Sequence, residues 1–165
     1  MPDTAMAPEI DVLIEAEGWA GVDLDGVAAR AVRAALDHRG IEEAEIAILA
    51  CDDARIASLN ADFRGKPRPT NVLSWPTEDR APDVEGGHPA PPDDPELGDI
   101  AIAWETCAAE ARAGDIPLDH HLTHLLIHAT LHLLGYDHER DGDAALMEGV
   151  EVEILADLGI ENPYR

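Results

Sequence analysis

The sequence predicts an α+β fold, a single domain in which a small mixed sheet of four strands packs with about five helices. Three observations carry that reading. The 165 residues suffice for one domain around one core. Short stretches of strand character dominate the first part of the chain and apolar residues at helical spacing dominate the last. Neither an internal repeat nor a linker divides the chain, so 1–165 reads as one unit.

The elements follow in order. Residues 1–9 are polar and proline-containing and read as a flexible tail. Over 10–17, Val12, Ile14 and Ala16 alternate with Asp11, Glu15 and Glu17, the two-residue period of a strand, until Gly18 and Gly21 break it. Asp23 is a suitable N-cap for a helix through Val27, Ala31, Ala34, Ala35 and Leu36 that stops near Gly40. The segment 44–50 (AEIAILA) is a second strand, and Asp52 or Asp53 opens a short helix carrying Ile56, Leu59 and Phe63. After a positively charged loop, 71–75 (NVLSW) is a third strand. Residues 76–96 are rich in Pro, Gly and Asp without period and read as a mobile surface loop. The fourth strand is 97–103 (LGDIAIA). Helices follow over 104–113, 118–134 and 141–158, with Gly135 ending the middle one and Gly159 the last.

Composition bounds the function. Hydrophobic residues make up 45 % and aromatic ones 4 %, so aliphatic side chains must fill the core. Thirty-five acidic residues against 11 basic ones leave a net charge of −24, a field that repels nucleic acid except at a local basic spot or through a partner protein. Cys51 and Cys107 are isolated, no secretory segment precedes them, and no apolar run is long enough to span a bilayer. A cytoplasmic protein with reduced thiols and no membrane association is expected.

The chemistry concentrates in His128-Ala-Thr-Leu-His132-Leu-Leu-Gly135-Tyr-Asp-His138. Histidines four apart share a helix face, roughly 6 Å apart along the axis, so two imidazoles can converge on one cation. Gly135 lets the chain turn out of the helix and return His138 as a third nitrogen. Three neutral imidazoles suit one Zn²⁺ per chain, with Ni, Cu or Fe as alternatives, and three ligands leave a position open for water. His124, one turn earlier, could line the site but is not needed as a ligand. The spacing matches that of metzincin proteases, except that Ala129 stands where those enzymes carry their glutamate base. A methyl group takes no proton, and Met147 belongs to a helical pattern rather than a Met-turn, so a zinc protease is disfavoured.

Arg64, Lys66 and Arg68 are the densest positive charge in the chain, and guanidinium groups bind phosphate as a bidentate fork. With HATLHLLGYDH at the metal site, LNADFRGKPRPTNVLSWP before it and LGDIAIAWE between them, the chain resembles the YbeY family of bacterial endoribonucleases, the rRNA maturation factors. The resemblance runs from about Ile10 onward. It departs at Ala129, where the family commonly has glycine, and in the longer loop at 76–95.

The resemblance implies a small mixed sheet flanked by helices, zinc on His128, His132 and His138, and a functional arginine at Arg64. It also implies action on single-stranded RNA in maturation of the small-subunit rRNA 3′ end and in ribosome quality control. Lys66 and Arg68 are candidate RNA contacts, while Asp137 and Glu139 could support His138 or accept a proton. The expected partners are single-stranded RNA and the ribosomal small subunit or its proteins. A second reading is a ribosome-assembly binding factor whose zinc is largely structural, docking through acidity onto basic ribosomal proteins.

Overall fold

A computed structural model of the chain describes residues 8–164. Four strands, β1 (Glu9–Ile14), β2 (Glu45–Cys51), β3 (Val72–Pro76) and β4 (Glu96–Ala103), form one sheet in the order β1-β2-β4-β3. The first three in that order run parallel, while β3 lies antiparallel on the edge beside β4. Five α-helices accompany them: α1 (Leu24–His38), α2 (Asp53–Arg64), α3 (Trp104–Ala113), α4 (Leu118–Leu133) and α5 (Asp141–Asp157). The mixed α+β domain predicted from the sequence is therefore the one observed. No helix among the described residues is long and apolar enough to cross a membrane.

Local chemistry explains the boundaries. The Asp23 carboxylate accepts the Gly26 N–H and the Asp52 carboxylate accepts the Arg55 N–H, so both expected caps hold orphan donors of a first turn. Helix α2 ends on Gly65 at φ 68°, a left-handed stop immediately after Arg64.

Two corrections concern the N-terminal part. Of the expected tail, 1–7 lie outside the described residues, and Glu9 already belongs to β1. The first strand ends at Ile14 rather than residue 17, because the Glu15 and Ala16 N–H groups both turn to the Ala50 carbonyl. A short 3-10 helix (Glu17–Gly21) then buries Trp19, whose indole N–H donates to the Cys51 carbonyl at 2.9 Å. Gly18 is a point of close approach rather than a breaker: a Cβ there would lie 2.2 Å from the Trp104 ring.

The core fills one face of the sheet. Ile46, Ile48, Ile100 and Ile102 meet Val27, Ala31 and Ala35 of α1 and Leu122, Leu126 and Ile127 of α4, all but removed from water. Helix α4 runs through this layer with nine buried residues, so whatever it carries on its remaining face stands on a rigid base. Helix α2 covers part of the other face, closing a smaller cluster of Cys51, Ile56, Leu73, Ala101 and Ala103. Both cysteines are free and buried; burial, then the acids Glu15 and Asp52, push the Cys51 thiol up to about 12.

The segment between β3 and β4 is irregular, as its composition predicts, and takes Pro76 and Glu96 into its flanking strands. It is tied to the C-terminal half. Arg80 donates to the Leu133 and Leu97 carbonyls, the Gly86 N–H reaches Asp143, and the Gly142 N–H reaches Glu85.

Candidate metal centre

Helix α4 presents His128 and His132 one turn apart, and Gly135 brings the chain back. Gly135 has φ 111°, and a Cβ there would lie 2.4 Å from the Arg80 carbonyl oxygen, so the turn needs glycine twice over. The return sets the His138 ring 5.1 Å from His132 and 5.6 Å from His128, centre to centre. One nitrogen from each of the three lies within 4.8 Å of the others, close to the span that an ion with bonds of about 2.0–2.1 Å bridges. His128 and His132 are half-buried and His138 is exposed, leaving the group open on one side.

The electrostatics suit a cation. Burial, reinforced by His128 and His138, holds the His132 imidazole at about 4 against an ordinary 6.5. It is therefore neutral at pH 7, the form that ligates. His128 Nδ1–H donates to Glu151 Oε2 at 2.8 Å, which fixes its tautomer and leaves Nε2 to face the cluster. Glu151 is fully buried on α5 and also accepts from His124 Nε2 at 2.8 Å and from the Tyr164 hydroxyl at 2.6 Å. Burial would raise its pKa, but the hydrogen bonds from both histidines and Tyr164 prevail and hold it at about 2. A buried carboxylate that stays ionised orients His128 and raises the basicity of its free nitrogen. The residues present thus fit a metal.

The other candidates fall as follows. His124 turns to Glu151 and Tyr164 and is outside the group of three. Ala129 is buried with its methyl accommodated in α4, and Met147 is core on α5. The Asp137 carboxylate accepts the His138 N–H at 2.7 Å, and both Asp137 and Glu139 line the cleft over the histidines.

That cleft measures about 600 Å³ and runs from α4 and the His138 turn to strand β3 and the end of α2. Arg64 is exposed on its wall, whereas Lys66 and Arg68 are exposed beyond it. Asn60 ties the basic loop to α2 by donating to the Arg68 carbonyl at 3.0 Å.

Sequence reasoning missed Glu151 and Arg80. The signal for Glu151 was present: it is an acid among the apolar residues of the buried stripe Met147, Val150, Ile154 and Leu155. Arg80 had none, because nothing local says that a loop arginine will bond the Leu133 carbonyl at the end of α4.

The model of the family described as "Endoribonuclease YbeY" matches residues 15–159. The chain belongs to this family. Relatives named Endoribonuclease YbeY from Dinoroseobacter shibae and Paracoccus denitrificans are 55 % and 51 % identical, over 99 % of this chain and 94 % and 97 % of their own lengths. One from Jannaschia is 55 % identical over 94 % of this chain and 99 % of its own. A Thermotoga maritima protein solved in solution shares the fold, with a TM-score of 0.56, 23 % identity and 91 % of each chain covered. As a YbeY family member the protein is an endoribonuclease, a hydrolase of internal RNA phosphodiester bonds.

Proposed function

We propose that the protein is a zinc-dependent endoribonuclease specific for single strands, acting in the cytoplasm on the 3′ end of small-subunit rRNA and in ribosome quality control. The observation that carries the zinc is the convergence of three histidines, with one buried, ionised carboxylate behind His128. A divalent metal there supplies Lewis acidity toward water and toward a phosphoryl oxygen at neutral pH.

The chain supplies the rest. His128, His132 and His138 hold the ion, Glu151 keeps His128 in the ligating tautomer, and Asp137 and Glu139 stand on the cleft wall as proton acceptors. Arg64 takes the phosphate and offsets charge that builds up on it during transfer. Its position at the last residue of α2, fixed by the Gly65 stop, supports this role. An acidic surface elsewhere limits RNA contact to this basic edge and favours ribosomal proteins as docking partners.

Cleavage of a labelled RNA, alone and annealed to its complement, by zinc-loaded wild type and Arg64→Ala tests the scheme. The expected result is cutting of the single strand only, with Arg64→Ala slowed at least a hundredfold while it keeps its zinc. Full activity of Arg64→Ala with zinc bound removes the phosphate clamp, and cutting of the duplex removes the strand preference.

A further inference from the structure

The chain is poor in aromatic residues, with three tryptophans, two tyrosines and one phenylalanine, yet Phe63, Trp75, Tyr136 and Tyr164 all line the metal cleft. Tyr136 and Tyr164 are engaged there: Tyr136 is buried with its hydroxyl 2.7 Å from His88 Nδ1, and the Tyr164 hydroxyl is held by Glu151. Phe63 has no such structural duty. It is 64 % exposed, next in sequence to Arg64 on the last turn of α2, and meets Trp75 edge-to-face at 5.4 Å. With that much of its surface exposed, most of the Phe63 ring is left to solvent. The Phe63–Trp75 pair also borders a shallow apolar trough on the outer face of the sheet, with Leu49, Leu59 and the exposed Leu13.

The geometry points to Phe63, backed by Trp75, as a stacking subsite for one unpaired nucleobase of the RNA substrate. This rests on the single-strand nuclease reading. A base bound to phosphate at Arg64 needs an apolar plane nearby, and an exposed ring one residue along the same helical turn supplies it. Stacking a base on an aromatic face is worth enough to matter and tolerates any sequence. It also selects against duplex, whose bases are already stacked on one another. Continuity with the metal cleft favours RNA over a protein as the occupant, because the same two rings wall both the cleft and the trough.

The test is steady-state cleavage by the zinc-loaded enzyme of one single-stranded RNA and of a series lacking one base at a time, with wild type, Phe63→Leu and Phe63→Tyr. Phe63→Leu should raise KM about tenfold, with the loss falling on KM rather than kcat, and Phe63→Tyr should restore it. Removing one particular base should raise the wild-type KM by a similar factor and add nothing further in Phe63→Leu, since the two changes remove the same contact. A KM within twofold of wild type in Phe63→Leu, or effects that multiply for every missing base, overturns the subsite while leaving the nuclease standing. Wild type that cuts none of the RNAs overturns the nuclease reading and the subsite with it. Thermal midpoints and zinc content serve as controls, and a leucine variant that loses either without tyrosine rescue counts against stacking.

Discussion

Glu151 lies fully buried and receives hydrogen bonds from His124, His128 and Tyr164, so its charge is spread over three donors. Replacing it with glutamine keeps the volume and removes the charge. Zinc affinity of Glu151→Gln, read by competition with a chelating dye, should fall 10- to 100-fold, and unchanged affinity would show that His128 needs no such anchor. His132 gives a second residue-scale expectation. Its folded pKa of about 4 lies below the ordinary 6.5, so between these values the unfolded chain binds more protons. Stability of the metal-free protein from this source is present above pH 6.5 and lost as pH falls toward 4, by up to about 3 kcal/mol. Urea titrations of wild type and His132→Phe should diverge in slope across that window; parallel curves would contradict the burial argument.

At the scale of elements, the turn from α4 to His138 depends on one glycine and one arginine. Gly135→Ala meets both a positive φ and the Arg80 backbone, and should cost about 2 kcal/mol or more. Arg80 binds the α4 C-terminus and two carbonyls at the start of β4 through a guanidinium almost wholly buried. Arg80→Ala should lower the thermal midpoint by several degrees and weaken zinc binding together, because the same contact holds both loop and turn. A variant that loses stability with its zinc affinity intact would uncouple the two. Much of this level was legible in advance. Helical spacing, the Asp23 and Asp52 caps and the Gly135 stop are local signals, and they marked the elements within a few residues. The 3-10 helix around Trp19 was not legible, because its cause is tertiary: Gly18 fits under Trp104 and Trp19 reaches Cys51, a partner 32 residues away.

For the whole molecule, the convergence of His128, His132 and His138 could be read from spacing, since helix geometry and one turn suffice to gather them. Arg64 reached the same cleft only through the packing of α2 beside β3, which no local pattern encodes, and Lys66 and Arg68 stayed outside. The net charge of −24 therefore confronts RNA with few positive contacts. With at most three basic side chains engaged, log KM should change with log salt by a slope no steeper than about 2 between 50 and 200 mM. A steeper dependence would mean that a larger basic surface takes part than Arg64 and its neighbours.

RNA cleavage and metal binding should be one property of the His128, His132 and His138 cluster. Cleavage of a labelled single-stranded RNA and zinc content, measured together on wild type and on a folded His132→Ala, test it most directly. The variant should lose both, and added zinc should restore cutting to chelator-stripped wild type but not to the variant. Cutting that persists in a folded, zinc-free His132→Ala would contradict it and leave the cluster a structural role.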